Sequence, residues 1–337
     1  MVTIYDVARH AGVSAATVSR VLNGHAKVDP ALAERVTSSV AELGYRRNAV
    51  ARNLRKSRTS LWAVIISDVE NPFFTSMVRG VEDIALAAGY SVVLCNSDEN
   101  PEKESNYIVA ALTEQMAGVI ISPSSNRVDD VKLLLDSGCP VVVIDRELHG
   151  LRTDTVLVDN ERGAEQATAH LIDQGYRRIA CIGGPRWLST ATHRYDGYRR
   201  ALGTAGLSLE PSLVRFADFR ERGGYDAMAS LLDDGAEPDA LFAANNLMTV
   251  GAMECLVQRD LAVPTDIAVV GFDTIPWADL IRPTLTTVSQ PAYEVGRQAA
   301  QLLARRITKP DADATNVLLP TELQVRASST RRISTGE

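Results

Sequence analysis

At 337 residues the chain is too long for one ordinary domain and calls for two or three. Apolar residues at 45% and charged residues at 23% exclude a disordered or fibrous protein. The net charge of −7 argues against nucleic acid until its distribution is read: residues 1–60 hold ten Lys or Arg against four acids (Asp6, Asp29, Glu34, Glu42), so a basic head precedes an acidic body.

Cys95, Cys139, Cys181 and Cys255 are widely spaced, with no C-x-x-C pair and no histidine at zinc-ligand spacing. They read as small buried hydrophobes in a reducing compartment, and neither a metal nor a cofactor is expected. The chain starts on a polar, cappable helix, and no apolar run approaches the roughly 18 residues of a membrane span. The expectation is a cytoplasmic protein.

In the head, Thr3 with Asp6 three residues on opens a first helix carrying Val7, Ala8 and Ala11, and Gly12 stops it. Ser14 caps a second, with Val18, Val21 and Leu22 on one face and Gly24 at its end. Asp29-Pro30 begins a third that buries Leu32, Val36, Val40 and Leu43 and ends at Gly44. Two short helices joined through Gly12-Val13 form a helix-turn-helix. Ala15, Ala16, Ser19 and Arg20 then face base edges in the major groove, where Arg20 can grip guanine in a bidentate manner and the alanines offer methyl contact to thymine. Ser14, Thr17, Asn23 and Tyr5 suit phosphate oxygens.

Tyr5-Asp6-Val7-Ala8, Gly12-Val13-Ser14 and the run Thr17 to Asn23 resemble the signature of the lactose-repressor family. The likeness continues through Leu43-Gly44-Tyr45 and residues 48–54, which resemble the family's hinge. It implies a short hinge helix that orders on operator DNA, with Asn48, Val50, Ala51 and Leu54 at the DNA and Leu54 wedged into the minor groove. The chemistry is consistent, because Val50, Ala51 and Leu54 make one small apolar face, an apolar wedge unstacks a base step, and so short a helix does not stand alone in water.

From residue 60 onward, strand-like pieces (62–66, 90–94, 118–121, 141–144, 156–158, 178–182, 241–244 and 267–270) alternate with helical stretches. The more continuous ones are apolar on both faces, as in a parallel sheet covered by helices, and the order implies a doubly wound α/β body of two lobes dividing near Asn160. The body also resembles the family's sensor, which is similar to periplasmic sugar-binding proteins. That likeness implies a strand exchange, with the segment after about Pro291 returning to the first lobe and the strand near Leu323 to Val325 packing on the second.

Most residues that carry this likeness follow a strand, where doubly wound sheets place a ligand crevice. The candidate effector residues are Asn71, Phe73, Phe74, Asp145, Arg146, Arg194, Phe219, Asn245, Asp273 and Gln290. The carboxylates, amides and guanidiniums suit hydroxyls, and Phe74, Phe219 and Trp277 offer flat apolar faces. Vicinal hydroxyls favour a sugar or polyol over a purine base, with a nucleoside as the alternative. Asn246 stands where the family usually has aspartate: as a helix cap either residue serves equally, and as a ligand contact the change shifts specificity. His193 reads as a turn histidine.

The resulting expectation is an α/β chain with a three-helix helix-turn-helix head at 1–47, a hinge helix and linker at 48–59, a two-lobed periplasmic-binding-protein-like sensor at 60–330 and a tail at 331–337. Lobe one takes about 60–160 and 291–320, and lobe two about 161–290 and 321–330. The function expected is a repressor acting on palindromic operator DNA as a homodimer, under a small-molecule effector. A secreted sugar carrier would lack the basic head. Against an enzyme on this fold stands the lack of a G-x-G-x-x-G after the first strand, of a phosphate loop, of an H-E-x-x-H pair and of a nucleophile elbow.

Overall fold

The computed structural model describes residues 2–22, 28–45 and 58–331. The chain divides into two compact units, Met1–Arg58 and Thr59–Glu337. Asn23, Gly24, the hinge with Asn48, Val50, Ala51 and Leu54, and the tail beyond 331 lie outside the described residues.

The first unit holds helices α1 (Ile4–Ala11), α2 (Ala15–Leu22) and α3 (Pro30–Glu42). Thr3 and Asp6 form a reciprocal capping box, and Gly12 takes a left-handed φ of 65° that only glycine adopts without strain. Ser14 Oγ accepts from Thr17 N at 3.1 Å, and Asp29 Oδ1 accepts from Ala31 N and Leu32 N. Val7, Ala8, Ala11, Val18 and Val36 make the small core. The Arg35 guanidinium donates to Ala11 O and so ties α3 to the turn between the other two helices.

The second unit contains two six-stranded sheets. Sheet A has the order β11-β5-β4-β3-β1-β2, built from β1 (Leu61–Ile66), β2 (Ser91–Asn96), β3 (Gly118–Ile121), β4 (Val141–Ile144), β5 (Asp154–Val158) and β11 (Asn316–Leu319). Sheet B has the order β12-β10-β9-β8-β6-β7, built from β6 (Ile179–Gly183), β7 (Val214–Phe216), β8 (Ala240–Ala243), β9 (Ala268–Phe272), β10 (Thr286–Ser289) and β12 (Glu322–Gln324). The two orders are the same when β1 is matched to β6, β2 to β7, β3 to β8, β4 to β9, β5 to β10 and β11 to β12. All pairings are parallel except β10 with β12. The chain crosses between the lobes three times, after β5, after β10 and after β11.

Connecting helices are α4 (Pro72–Ala87), α5 (Pro101–Thr113), α6 (Asp129–Asp136), α7 (Asn160–Asp173), α8 (Ser189–Thr204), α9 (Glu221–Asp233), α10 (Asn246–Gln258) and α11 (Ala292–Thr308). Strands β1, β3 and β4 are buried on both faces because helices cover both. Separate apolar layers lie on the two faces of sheet A. Helix α11 belongs to the first layer through Val295, Ala299 and Leu303.

Close approach of α4 and α11 fixes that helix to sheet A. A Cβ at Gly80 would lie 2.1 Å from Tyr293 O, and one at Gly296 would lie 1.9 Å from Met77 O. Gly296→Ala is therefore expected to force the helices apart and destabilise the chain by about 2–3 kcal/mol, the scale of an overpacked interior. Denaturant unfolding at fixed protein concentration checks this, and an unchanged midpoint would contradict the contact.

Candidate functional site

The residues that follow the strands of the two sheets meet in a cleft between the lobes, at the edge where parallel sheets place their ligands. From sheet A come Asp68 and Asn71 after β1, Glu99 after β2, and Asp145 and Arg146 after β4. Sheet B contributes Asn245 after β8, Asp273 after β9 and Gln290 after β10. Helix starts supply Phe73 and Phe74 on α4, Thr190 and Arg194 on α8, and Phe219 and Arg220 just before α9. All ten candidate effector residues line this one cleft.

Asp145 and Asp273 occupy equivalent places in the two sheets. Each has a left-handed backbone, with φ of 64° and 71°, a conformation that L side chains adopt at a cost. Each is held there alike: Asp145 N donates to Val156 O at 3.1 Å, and Asp273 N donates to Val288 O at 2.9 Å. Glu99 and Phe219, also on the lining, are left-handed too, with φ of 56° and 65°. A Cβ at Gly184 would fall 2.2 Å from the Phe219 ring, so that glycine makes room for it.

Arg194 is fixed on several sides. Its Nε donates to Asn160 Oδ1 and its Nη1 to Ala244 O, both at 2.7 Å, with Nη1 also 3.6 Å from Asp273 Oδ2. The guanidinium lies 3.9 Å from the Phe272 ring centroid. Arg146 forks onto Glu99 and donates to Pro123 O, while its buried Nε makes no hydrogen bond. Gln290 Nε2 donates to Asp273 Oδ1, and the buried Gln290 Oε1 is left without a donor.

Burial pushes the carboxyls of Asp145 and Asp273 above the usual range, although Arg146 and Arg194 pull on the first and Arg194 and Gln290 on the second. Burial also lowers Arg194, whereas at Arg146 the Glu99 carboxylate overrides burial and holds the guanidinium up. The cavity among these walls measures about 30 Å³.

Some expectations need correction. Asn246 is not the cap of α10: Asn245 is, its Oδ1 accepting from Met248 N at 2.8 Å while its Nδ2 donates to Phe219 O at 2.9 Å. Asn246 Nδ2 instead reaches across the cleft to Asn71 Oδ1 at 2.9 Å. Trp277 is 59% exposed and lies outside the cleft lining. His193 sits within α8 and not in a turn. Asp68, Glu99, Thr190 and Arg220 also line the cleft and were not among the expected residues, although Asp68 and Glu99 carried a usable signal because each follows a strand.

On the head, Tyr5, Ser14, Ala16 and Arg20 are exposed, and Thr17 and Ser19 are half-buried. Ala15 is half-buried against the head core, so of the two alanines only Ala16 presents its methyl freely. The Ser14 and Thr17 hydroxyls lie 2.9 Å apart at the start of α2. Among the described residues no group of three or more potential metal ligands clusters, and no helix is long and apolar enough to cross a membrane.

Residues 3–48 match the family described as bacterial regulatory proteins, lacI family, and residues 168–329 match a periplasmic binding protein-like domain. The chain is 36% identical to the catabolite control protein A of Priestia megaterium over 97% of this chain and 99% of that one. It is also 36% identical to the ribose operon repressor of Escherichia coli K12, over 98% and 100%. Among solved structures it is similar to a lac repressor dimer bound to operator and the anti-inducer ONPF (28% identity, TM-score 0.88, 98% and 99% covered). It is similar as well to a complex of the regulator CelR with cellobiose (35%, 0.73, 97% and 100%) and to an Enterococcus faecium regulator with bound ribose (29%, 0.73, 80% and 98%).

Behind Arg146, the buried Glu104 carboxylate accepts from Ser124 N at 2.7 Å and holds the loop whose Pro123 carbonyl receives the guanidinium. Burial pushes this carboxyl up to about 7 from 4.5. Between those values the native state binds more protons than the unfolded one, so this group's contribution to stability falls as pH rises from about 4.5 to about 7, by about 3 kcal/mol. Glu104→Gln keeps an acceptor for Ser124 N and should remove that fall. Denaturant unfolding of both proteins at the two pH values measures it, and identical pH dependence would refute it.

Proposed function

The chain belongs to the lacI family of bacterial regulatory proteins, and from that premise and the cleft we propose a transcription repressor whose hold on operator DNA is set by a monosaccharide bound between the two lobes. It acts as a homodimer on a palindromic operator in the bacterial cytoplasm and is not an enzyme. Membership in a family of gene regulators supports that setting. Dimerisation is supported by the operator-bound lac repressor dimer and by the two-fold match between paired heads and half-sites.

One observation carries the effector assignment. Two buried carboxylates and two buried guanidiniums, drawn from both lobes, face one narrow cleft in which Gln290 Oε1 has no donor and Arg146 Nε has no hydrogen bond, only the Asp145 carboxylate 3.5 Å away. Vicinal hydroxyls each donate and accept, so a sugar ring can satisfy both kinds of group at once, and the Phe73, Phe74 and Phe219 rings can cover its apolar faces. A purine base would ask for a tighter aromatic sandwich and fewer charges than this cleft supplies. The ribose operon repressor and the ribose-bound relative make ribose the first sugar to test.

Calorimetry of the full chain against ribose, other pentoses and hexoses, polyols and nucleosides should show a monosaccharide binding most tightly. A free purine binding at micromolar affinity, with no sugar, polyol or nucleoside detected, would overturn the assignment. Asp273→Ala should abolish the response to the effector and spare operator binding, which a gel shift with and without sugar reads.

In the head, Arg20 projects from α2 as the strongest base reader. Arg20→Ala should weaken operator binding by about 1–3 kcal/mol and relax the preference for one guanine per half-site. Equal loss on operator and random DNA would make Arg20 a phosphate contact only.

A further inference from the structure

Arg220, the residue just before α9, extends from the sheet B lobe across the cleft to the sheet A lobe. Its Nη1 donates to Asp68 Oδ2 at 2.7 Å and its Nη2 to Asp98 Oδ1 at 2.6 Å. Asp68 is buried and Asp98 exposed, so the bridge runs from the cleft wall out to solvent. Asp68 has its second oxygen engaged, Oδ1 accepting from Glu70 N at 2.9 Å. Asp98 has a left-handed backbone, with φ of 58°.

Two neutral contacts also join the lobes, Asn246 to Asn71 and Glu147 N to Ser189 Oγ at 2.9 Å. The Arg220 fork differs in joining charges, one of them in a buried carboxylate that parting the lobes would leave without its cation. Arg220 and Asp68 are also walls of the cavity itself.

We propose that Arg220, with Asp68 and Asp98, is an ion-pair gate on the effector cleft: it holds the lobes together and must break before a sugar enters or leaves. Its role as a gate for the effector rests on the function proposed above, whereas its role in holding the lobes does not. Both carboxylates keep the guanidinium fully charged, against the effect of burial. A planar fork serves two carboxylates at once, which a lysine ammonium does not reproduce.

The test is hydrogen–deuterium exchange of the full chain with no sugar added. Arg220→Ala should raise exchange in residues 144–147, and Asp68→Asn should raise it in residues 270–275, each by roughly threefold or more. Each segment lies in the lobe opposite the substitution and has no hydrogen bond with the replaced side chain, so a local folding defect does not reach it. The double variant should go no further than either single one. Molar salt should reproduce the effect in the parent chain and add little in the variants.

Exchange that rises only within the substituted lobe, or in neither segment, would overturn the gate. Because Asp68→Asn retains an acceptor for Glu70 N, it decides the matter even if Arg220→Ala folds poorly. A chain that bound no monosaccharide would overturn the effector assignment, and the exchange comparison would still decide whether the lobes are latched.

Discussion

The sensor is organised around buried charges that have to be kept satisfied. Asp145, Asp273, Arg146 and Arg194 sit where water is nearly excluded, and an isolated ion there would cost several kcal/mol. Each therefore draws on elements far apart in the chain. Arg194 reaches to Asn160 at the start of α7 and to the carbonyl at the end of β8, and Arg146 draws on Glu99 and on the loop after β3. Because these partners belong to different strands and helices, the sheets must be in register before the cleft exists.

The equivalence of the two sheets explains how the cleft is balanced. Strands β4 and β9 deliver a left-handed aspartate apiece, each tied through its amide to the neighbouring strand. One carboxylate thus enters from either side, and a ligand with hydroxyls around a ring can answer both. Groups that the protein leaves half-satisfied, Arg146 Nε and Gln290 Oε1, lie on opposite lobes. The head separates its tasks differently, with five buried residues maintaining the fold while Ala16 and Arg20 face outward. The reading surface can change without disturbing that core.

Much of this was legible in the sequence, for identifiable reasons. Strands β3 and β4 were readable to the residue because four-residue apolar runs bounded by turn residues have no competing helical period. β7, β10 and β11 were missed: β7 and β11 are short edge strands with half-exposed faces, β10 is a four-residue run of Thr and Ser around Val288, and the pairing of all three is decided by other strands of their sheets. Strand-end polar residues gave the cleft, but Arg220 was passed over because nothing local separates a bridging arginine from a solvated one. Ala15 looked as outward as Ala16 because helical spacing places it near the boundary of the buried face, where packing decides.

The triple crossing between lobes bears on how the protein emerges from the ribosome. Sheet A lacks its β11 edge until Leu319 has been made, and sheet B lacks β12 until Gln324, so both sheets are completed within a few residues of one another. Domains commonly fold in sequence as translation proceeds at about 5–20 residues per second. Here the earlier lobe has to wait, with the outer edge of β5 uncovered, for roughly ten seconds or more while the later one is translated. Nascent chains of this topology thus carry open sheet edges for longer than their length suggests, which makes this interval the one in which a ribosome-associated chaperone has most to protect.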